Sequence, residues 1–248
     1  MELLAGYTAL QIAVAVAATF ASAFVRGLAG FGMAILLVPV LALALSPIEA
    51  VLIINFLALF IGLLEMRMFF EHAERTAWVI GGLVVLTTAP GLIALNATPA
   101  DIARVLITGV AVLAFIVILL PTRAATAPGR GTTVSVGILS GLLTGFAGMP
   151  GPPVVPYYVG RDIPRMVAKA SMLLIFTIAA TAGLASGAAI GVLHIQLLWL
   201  AVLLFPVVLA GNWAGTKAFG RISDTAWRGF TGLVLGLAAL ASVVQLLR

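Results

Sequence analysis

The sequence predicts an all-α polytopic membrane protein of two inverted repeats. Each repeat is a broken, re-entrant helical hairpin followed by three transmembrane helices, about eight apparent segments in all. Three observations predict this. Of the 248 residues, 63% are hydrophobic and only 8% charged, against roughly 25% charged in a soluble domain. Six apolar runs are each long enough to cross about 30 Å of hydrocarbon. Two further apolar stretches are broken by glycine and proline, and they recur at nearly constant spacing.

The composition also excludes. Thirteen basic and eight acidic side chains cannot cover a soluble protein of this length. The apolar content rules out a disordered chain, and the absence of cysteine rules out a disulfide framework and thiol chemistry. Short alternating strands of a β-barrel are missing; the runs are long and rich in Leu, Ala and Val. The +5 formal charge is spread between apolar runs, which fits cytoplasmic loops and implies no nucleic-acid partner. The first run lacks a basic leader, so no cleavable signal is expected.

Along the chain the predicted spans are 48–64, 77–95, 102–120, 164–185, 195–214 and 226–247. Polar punctuation separates them at 67–75, at 121–131 (PTRAATAPGRG) and at 217–228. The first odd stretch, 7–46, is interrupted by Arg26-Gly27-Leu28-Ala29-Gly30-Phe31-Gly32. The second, 132–160, is interrupted from Gly145 through Gly148, Met149, Pro150 and Gly151 to Pro153. Glycine and proline at this density end a helix, while Pro152 and Pro153 suit the start of the next.

The two stretches match. Gly27 to Gly30 aligns with Gly145 to Gly148 at an offset of 118, Pro39 with Pro156 at 117, and Pro90 with Pro206 at 116. A duplication of about 117 residues follows. It divides the chain into an N-terminal repeat (1–121), a cytoplasmic linker (122–131) and a C-terminal repeat (132–248).

Charge chooses the topology. If each odd stretch crosses once, Arg67, Arg75, Arg123, Arg130 and Arg248 oppose Arg104, Arg161, Arg165, Lys169, Lys217, Arg221 and Arg228, a split of 5 to 7. If each stretch returns to its own side, only Arg104 and Arg248 leave the basic side, and the split is 10 to 2. The positive-inside rule selects the second arrangement. Three spans per half then invert the repeats and put both termini outside.

At its two broken stretches the sequence resembles the sulfite exporter TauE/SafE family of membrane transporters. The resemblance rests on Arg26 to Gly32 with Pro39 downstream, and on Gly148-Met149-Pro150-Gly151-Pro152-Pro153-Val154-Val155. The duplicated layout extends it over the whole chain. It implies transport of small anions, commonly sulfite or organosulfonates, across the bacterial inner membrane. Several members carry consecutive glycines in these loops, where Phe31 and Met149 interrupt here.

The residues themselves suggest how an anion is held. A broken helix leaves free N–H groups at the start of its second half, and the dipole adds partial positive charge. Glycine lets backbone approach a ligand. On this reading Gly27, Gly30, Gly32, Gly148 and Gly151 line a site to which both halves contribute. Arg26 either forks two hydrogen bonds to the anion or marks the cytoplasmic end of its hairpin. Lys169 either attracts anions or snorkels to the headgroups. Asn55 and Ser171, at matched positions, and Thr144 and Asn212 either contact ligand or bond a neighbouring helix. Glu65, His72 and His194 are proton-coupling candidates, although Glu65 beside Arg67 reads as a surface pair. The small-residue series at 137, 141 and 145, at 183, 187 and 191, and at 211 and 215 read as packing.

The leading function is thus a secondary transporter of a small oxyanion or organosulfonate, working by alternating access in the bacterial inner membrane. An anion channel on the same scaffold is the alternative. The membrane potential favours anion exit by about 2.3 kcal/mol per charge per 100 mV, so export needs no coupling ion. No paired carboxylates, Ser/His/Asp set or metal-ligand spacing supports an enzyme, a metal site or a cofactor. The expected partners are a small anion and the bilayer. The small-residue faces leave room for a homodimer.

Overall fold

A computed structural model describes residues 6–119, 128–219 and 224–247. Among these the chain is helical throughout, without strands. The six expected spans are α3 (Pro47–Leu64), α5 (Arg75–Ala97), α6 (Ala100–Leu119), α9 (Arg165–Ala189), α10 (Ile195–Ala218) and α11 (Asp224–Leu246). The first broken stretch is α1 (Ala9–Ala29) and α2 (Met33–Ala44), and the second is α7 (Arg130–Ala147) and α8 (Gly151–Val159). A short α4 (Met66–His72) fills the loop before α5. Most of the expected 122–131 linker, with Arg123, lies outside the described residues, as do Arg221 and Arg248.

Both broken stretches turn back. Among the described residues, seven helices are long and apolar enough to cross a bilayer, and the seventh is α1, at 21 residues or about 31 Å. Length alone would therefore let α1 cross and leave. Hydrogen bonds decide otherwise. Gln11 Nε2 near the start of α1 donates to the Ala44 carbonyl at the end of α2, at 2.8 Å. Thr133 Oγ1 near the start of α7 meets Tyr157 OH near the end of α8, at 2.9 Å. Each stretch is a closed hairpin.

The hairpins open at opposite ends of the helix bundle. The first opens where α3 and α6 begin. Tyr7 OH donates to Glu49 Oε1 at 3.1 Å, and Arg104 Nε donates to the Ala42 carbonyl at 2.7 Å. Burial first, and then the Glu49 carboxylate, hold the Tyr7 phenol well above its ordinary pKa, so it stays a donor. The second opens where α3 has ended and α5 and α9 begin. There Arg161 pairs with Glu74, Thr76 Oγ1 lies 2.9 Å from Tyr158 OH, and the Glu74 amide donates to Ser171 Oγ at 3.0 Å. Since α3 runs from one opening to the other, the halves are inverted.

Packing repeats the relation. With α1, α2, α3, α5 and α10 matched to α7, α8, α9, α10 and α5, the pair α1–α10 corresponds to α7–α5, and α3–α10 to α9–α5. Between α3 and α9 the pairing maps onto itself, and α6–α11 does likewise. These interfaces depend on small residues, because lipid removes the apolar driving force that water supplies. A Cβ on Gly145 would stand 2.1 Å from the Thr88 carbonyl of α5, and one on Gly215 2.1 Å from the Phe24 carbonyl of α1. Gly183 abuts Asn55 and Gly187 abuts Leu52 across α3 and α9. Gly191 departs from its expected packing role: it lies past the end of α9 with φ +75°, and nothing stands within 4 Å of its Cβ position.

Candidate functional site

The two hairpin tips meet one cavity. In the first, α1 stops at Gly30 (φ +84°), whose amide bonds back to the Arg26 carbonyl at 2.7 Å. Gly32 (φ +95°) then starts α2. An L side chain at either position would be strained, and nothing lies within 4 Å of either Cβ position, so these glycines serve the turn. Among the described residues, the amides of Phe31, Gly32, Met33, Ala34 and Ile35 have no hydrogen-bond partner. They are the free donors that open a helix.

The second tip differs. Gly148 (φ +65°) ends α7 with its amide on the Thr144 carbonyl at 2.9 Å, and the Met149 amide reaches the Leu143 carbonyl at 3.2 Å. Pro150, Pro152 and Pro153 have no N–H. Among the described residues from Gly148 to Pro153, the Gly151 amide alone is free. Ser140 Oγ donates to the Pro150 carbonyl at 2.9 Å and ties the tip to α7.

Between the tips lies a cavity of about 120 Å³, room for several waters or for one small ion with part of its hydration. Gly30 to Ile35 form one wall and Gly148 to Pro152 the facing one. The sides come from α3, through Ile54, Asn55, Ala58 and Ile61, and from α9, through Met172, Leu173 and Phe176. Arg26, Glu65 and Lys169 are its charged members. Arg26 Nη1 donates to Asn212 Oδ1 at 2.8 Å, and its Nη2 lies 3.3 Å from Glu65 Oε1. Lys169 Nζ lies 3.6 Å from the other Glu65 oxygen. The trio carries net charge +1 with Glu65 ionised.

Irregular backbone, free donors and surplus positive charge, gathered between apolar helices, suit a small anion. A model of the family described as sulfite exporter TauE/SafE matches residues 14–242. The chain belongs to this family. No curated protein and no solved structure gives a match. TauE/SafE is a family of membrane transporters, and the broken hairpins that carry the resemblance are the walls of the cavity.

Of the eleven residues singled out from sequence, Arg26, Gly30, Gly32, Asn55, Gly148, Gly151 and Lys169 line this cavity. The other four lie outside it. A Cβ on Gly27 would stand 2.4 Å from the Asn212 carbonyl, so Gly27 lets α1 approach α10. Thr144, fully buried, donates to the Ser140 carbonyl within its own helix. Ser171 accepts from the Glu74 amide and so caps α5. Asn212 reaches the site only through Arg26. Neither His72 nor His194 lines the cavity.

Glu65 requires a correction. Its expected surface partner, Arg67, pairs instead with Glu71 one turn on, at 2.7 Å, while Glu65 faces Arg26 and Lys169. Helical spacing carried the signal: Ile54, Ala58, Ile61 and Glu65 are four, three and four residues apart, one face of α3. Phe31, Met149, Met172 and Phe176 also line the cavity, and their apolar character gave no sequence cue for it.

Proposed function

We propose that this protein is a secondary transporter moving a small oxyanion or organosulfonate across the bacterial inner membrane by alternating access. The observation that carries the proposal is the meeting of two broken hairpins, one from each inverted half, on a single cationic cavity. Ligand donors are the free amides of the first tip, with Arg26 and Lys169. Asn55 and Gly151 complete the lining, and Asn212 orients Arg26.

In this reading the two repeats (1–121 and 132–248, joined by a cytoplasmic 122–131 linker) rock against one another about the α3–α9 crossing. The bundle end near Lys169 and Glu65 also carries Arg67, Arg75, Arg130, Arg161, Arg165 and Lys217. The opposite end carries Arg104. By the positive-inside rule the first end is cytoplasmic, both termini are outside, and the cavity's charged members face inward.

Counterflow in proteoliposomes tests the proposal. Vesicles loaded with unlabelled sulfite, thiosulfate or ethanesulfonate should accumulate the same labelled anion transiently and saturably. Protein-free vesicles should not. Fast, unsaturable flux without exchange would instead support a channel, and no flux of any of these anions would sink the reading.

A further inference from the structure

The cations that would hold an anion already hold one. Glu65 gives one carboxylate oxygen to Arg26, at 3.3 Å, and the other to Lys169, at 3.6 Å. A bound oxyanion would make the same charge-assisted contacts. It therefore competes with Glu65 for both partners.

We propose that Glu65 is a proton-binding site linked to the anion site, so that one proton is taken up as each anion binds. The inference rests on the anion-binding reading above. When an anion engages Arg26 and Lys169, the Glu65 carboxylate loses its counter-charges and is left near a second negative charge. Protonation removes the conflict: the proton adds to one carboxylate oxygen, and the trio changes from net +1 to net +2 as the anion enters. Asn212, bonded to Arg26 at 2.8 Å, keeps the guanidinium in place when Glu65 lets go.

Among the described residues, no other acid, histidine or tyrosine lines the cavity. From α1 and α9 the facing groups are Arg26 and Lys169 themselves. On α4, Arg67 and Glu71 satisfy each other, and His72 Nδ1 lies 3.2 Å from the Met68 carbonyl. From α10, Lys217 lies over the Trp213 ring. On the second hairpin, Tyr157 and Tyr158 meet Thr133 and Thr76 and do not line the cavity.

The test is isothermal titration of purified wild type and Glu65→Gln with sulfate, thiosulfate and ethanesulfonate. The charges of these probes do not change between about pH 5 and pH 9. Buffers of differing ionisation enthalpy report proton uptake directly. Wild type should take up one proton per anion, and its affinity should fall with rising pH by up to about tenfold per unit. Glu65→Gln should bind with no pH dependence, take up no proton, and bind more tightly than wild type at high pH. Binding with a flat pH profile in wild type, or a slope that survives in Glu65→Gln, overturns proton linkage and leaves the transporter reading standing. If none of the probes binds wild type, the anion site and this inference fail together.

Discussion

The two hairpins share a fold and differ in chemistry. Each ends its first helix on a left-handed glycine, turns within a few residues and starts a second helix at the same cavity. The first tip offers five free amides and brings Arg26. The second offers one, because prolines remove three donors and two further amides bond back into α7. At the position matching Arg26 the second repeat has Thr144, buried and bonded to its own helix. The duplication thus kept the architecture and separated the roles: one hairpin binds, and the other is a stiff wall. Lys169 is the second half's one charged contribution to the cavity among the described residues.

The largest expected effect breaks this comparison at its charged point. Arg26→Ala removes a charged donor and leaves Asn212 without its partner. Lost charged hydrogen bonds of about 1.5–3 kcal/mol correspond to roughly 10- to 150-fold weaker anion binding. Thr144→Val, at the matched site, should change binding less than about twofold, since its hydroxyl bond is local and worth about 1 kcal/mol of stability. Titration of both variants with one anion checks the pair. Equal losses would mean that the hairpins contribute alike, and the division of roles would fall.

The next effect tests what the halves still share. Gly27 and Gly145 are matched, and each lies against backbone: a Cβ would stand 2.4 Å from the Asn212 carbonyl or 2.1 Å from the Thr88 carbonyl. Gly27→Ala and Gly145→Ala should each destabilise by about 1–3 kcal/mol through overpacking. A similar fall in melting temperature for both in detergent would place them in equivalent helix contacts. A large loss for one and none for the other would deny that α1–α10 and α5–α7 are counterparts.

Much of this was legible in the sequence because it was periodic or repeated. Spans follow from length, hairpin reversal from charge bias, and the shared cavity from matched glycines. What escaped was the choice of partner. Glu65 stands two residues from Arg67 in sequence, yet a helix turns neighbours two apart to different faces, and Arg26 and Lys169 arrive from other helices. Ser171 and Asn55 match by repeat position, but one caps α5 while the other borders the cavity. A polar residue in a membrane helix needs a partner, and sequence does not say which. The hairpin asymmetry was partly readable, since proline has no N–H, but the matched glycines drew the two tips together as equals.

The smallest expected effect sharpens the comparison by moving the second hairpin toward the first. Pro152 lines the cavity near the start of α8, where the first amides of a helix have no intrahelical acceptor. Pro152→Ala would restore one such donor, and position 152 already has helical backbone that alanine adopts readily. A new neutral hydrogen bond is worth about 0.5–1.5 kcal/mol, or roughly 2- to 13-fold tighter anion binding if the amide reaches the ligand. Loss of a rigid proline loosens the unfolded chain and should lower stability by about 0.4–1 kcal/mol. Affinity and stability should therefore move in opposite directions, which a general loosening of the tip would not produce. A fall in both would show that the prolines shape the wall on which the first hairpin's donors depend.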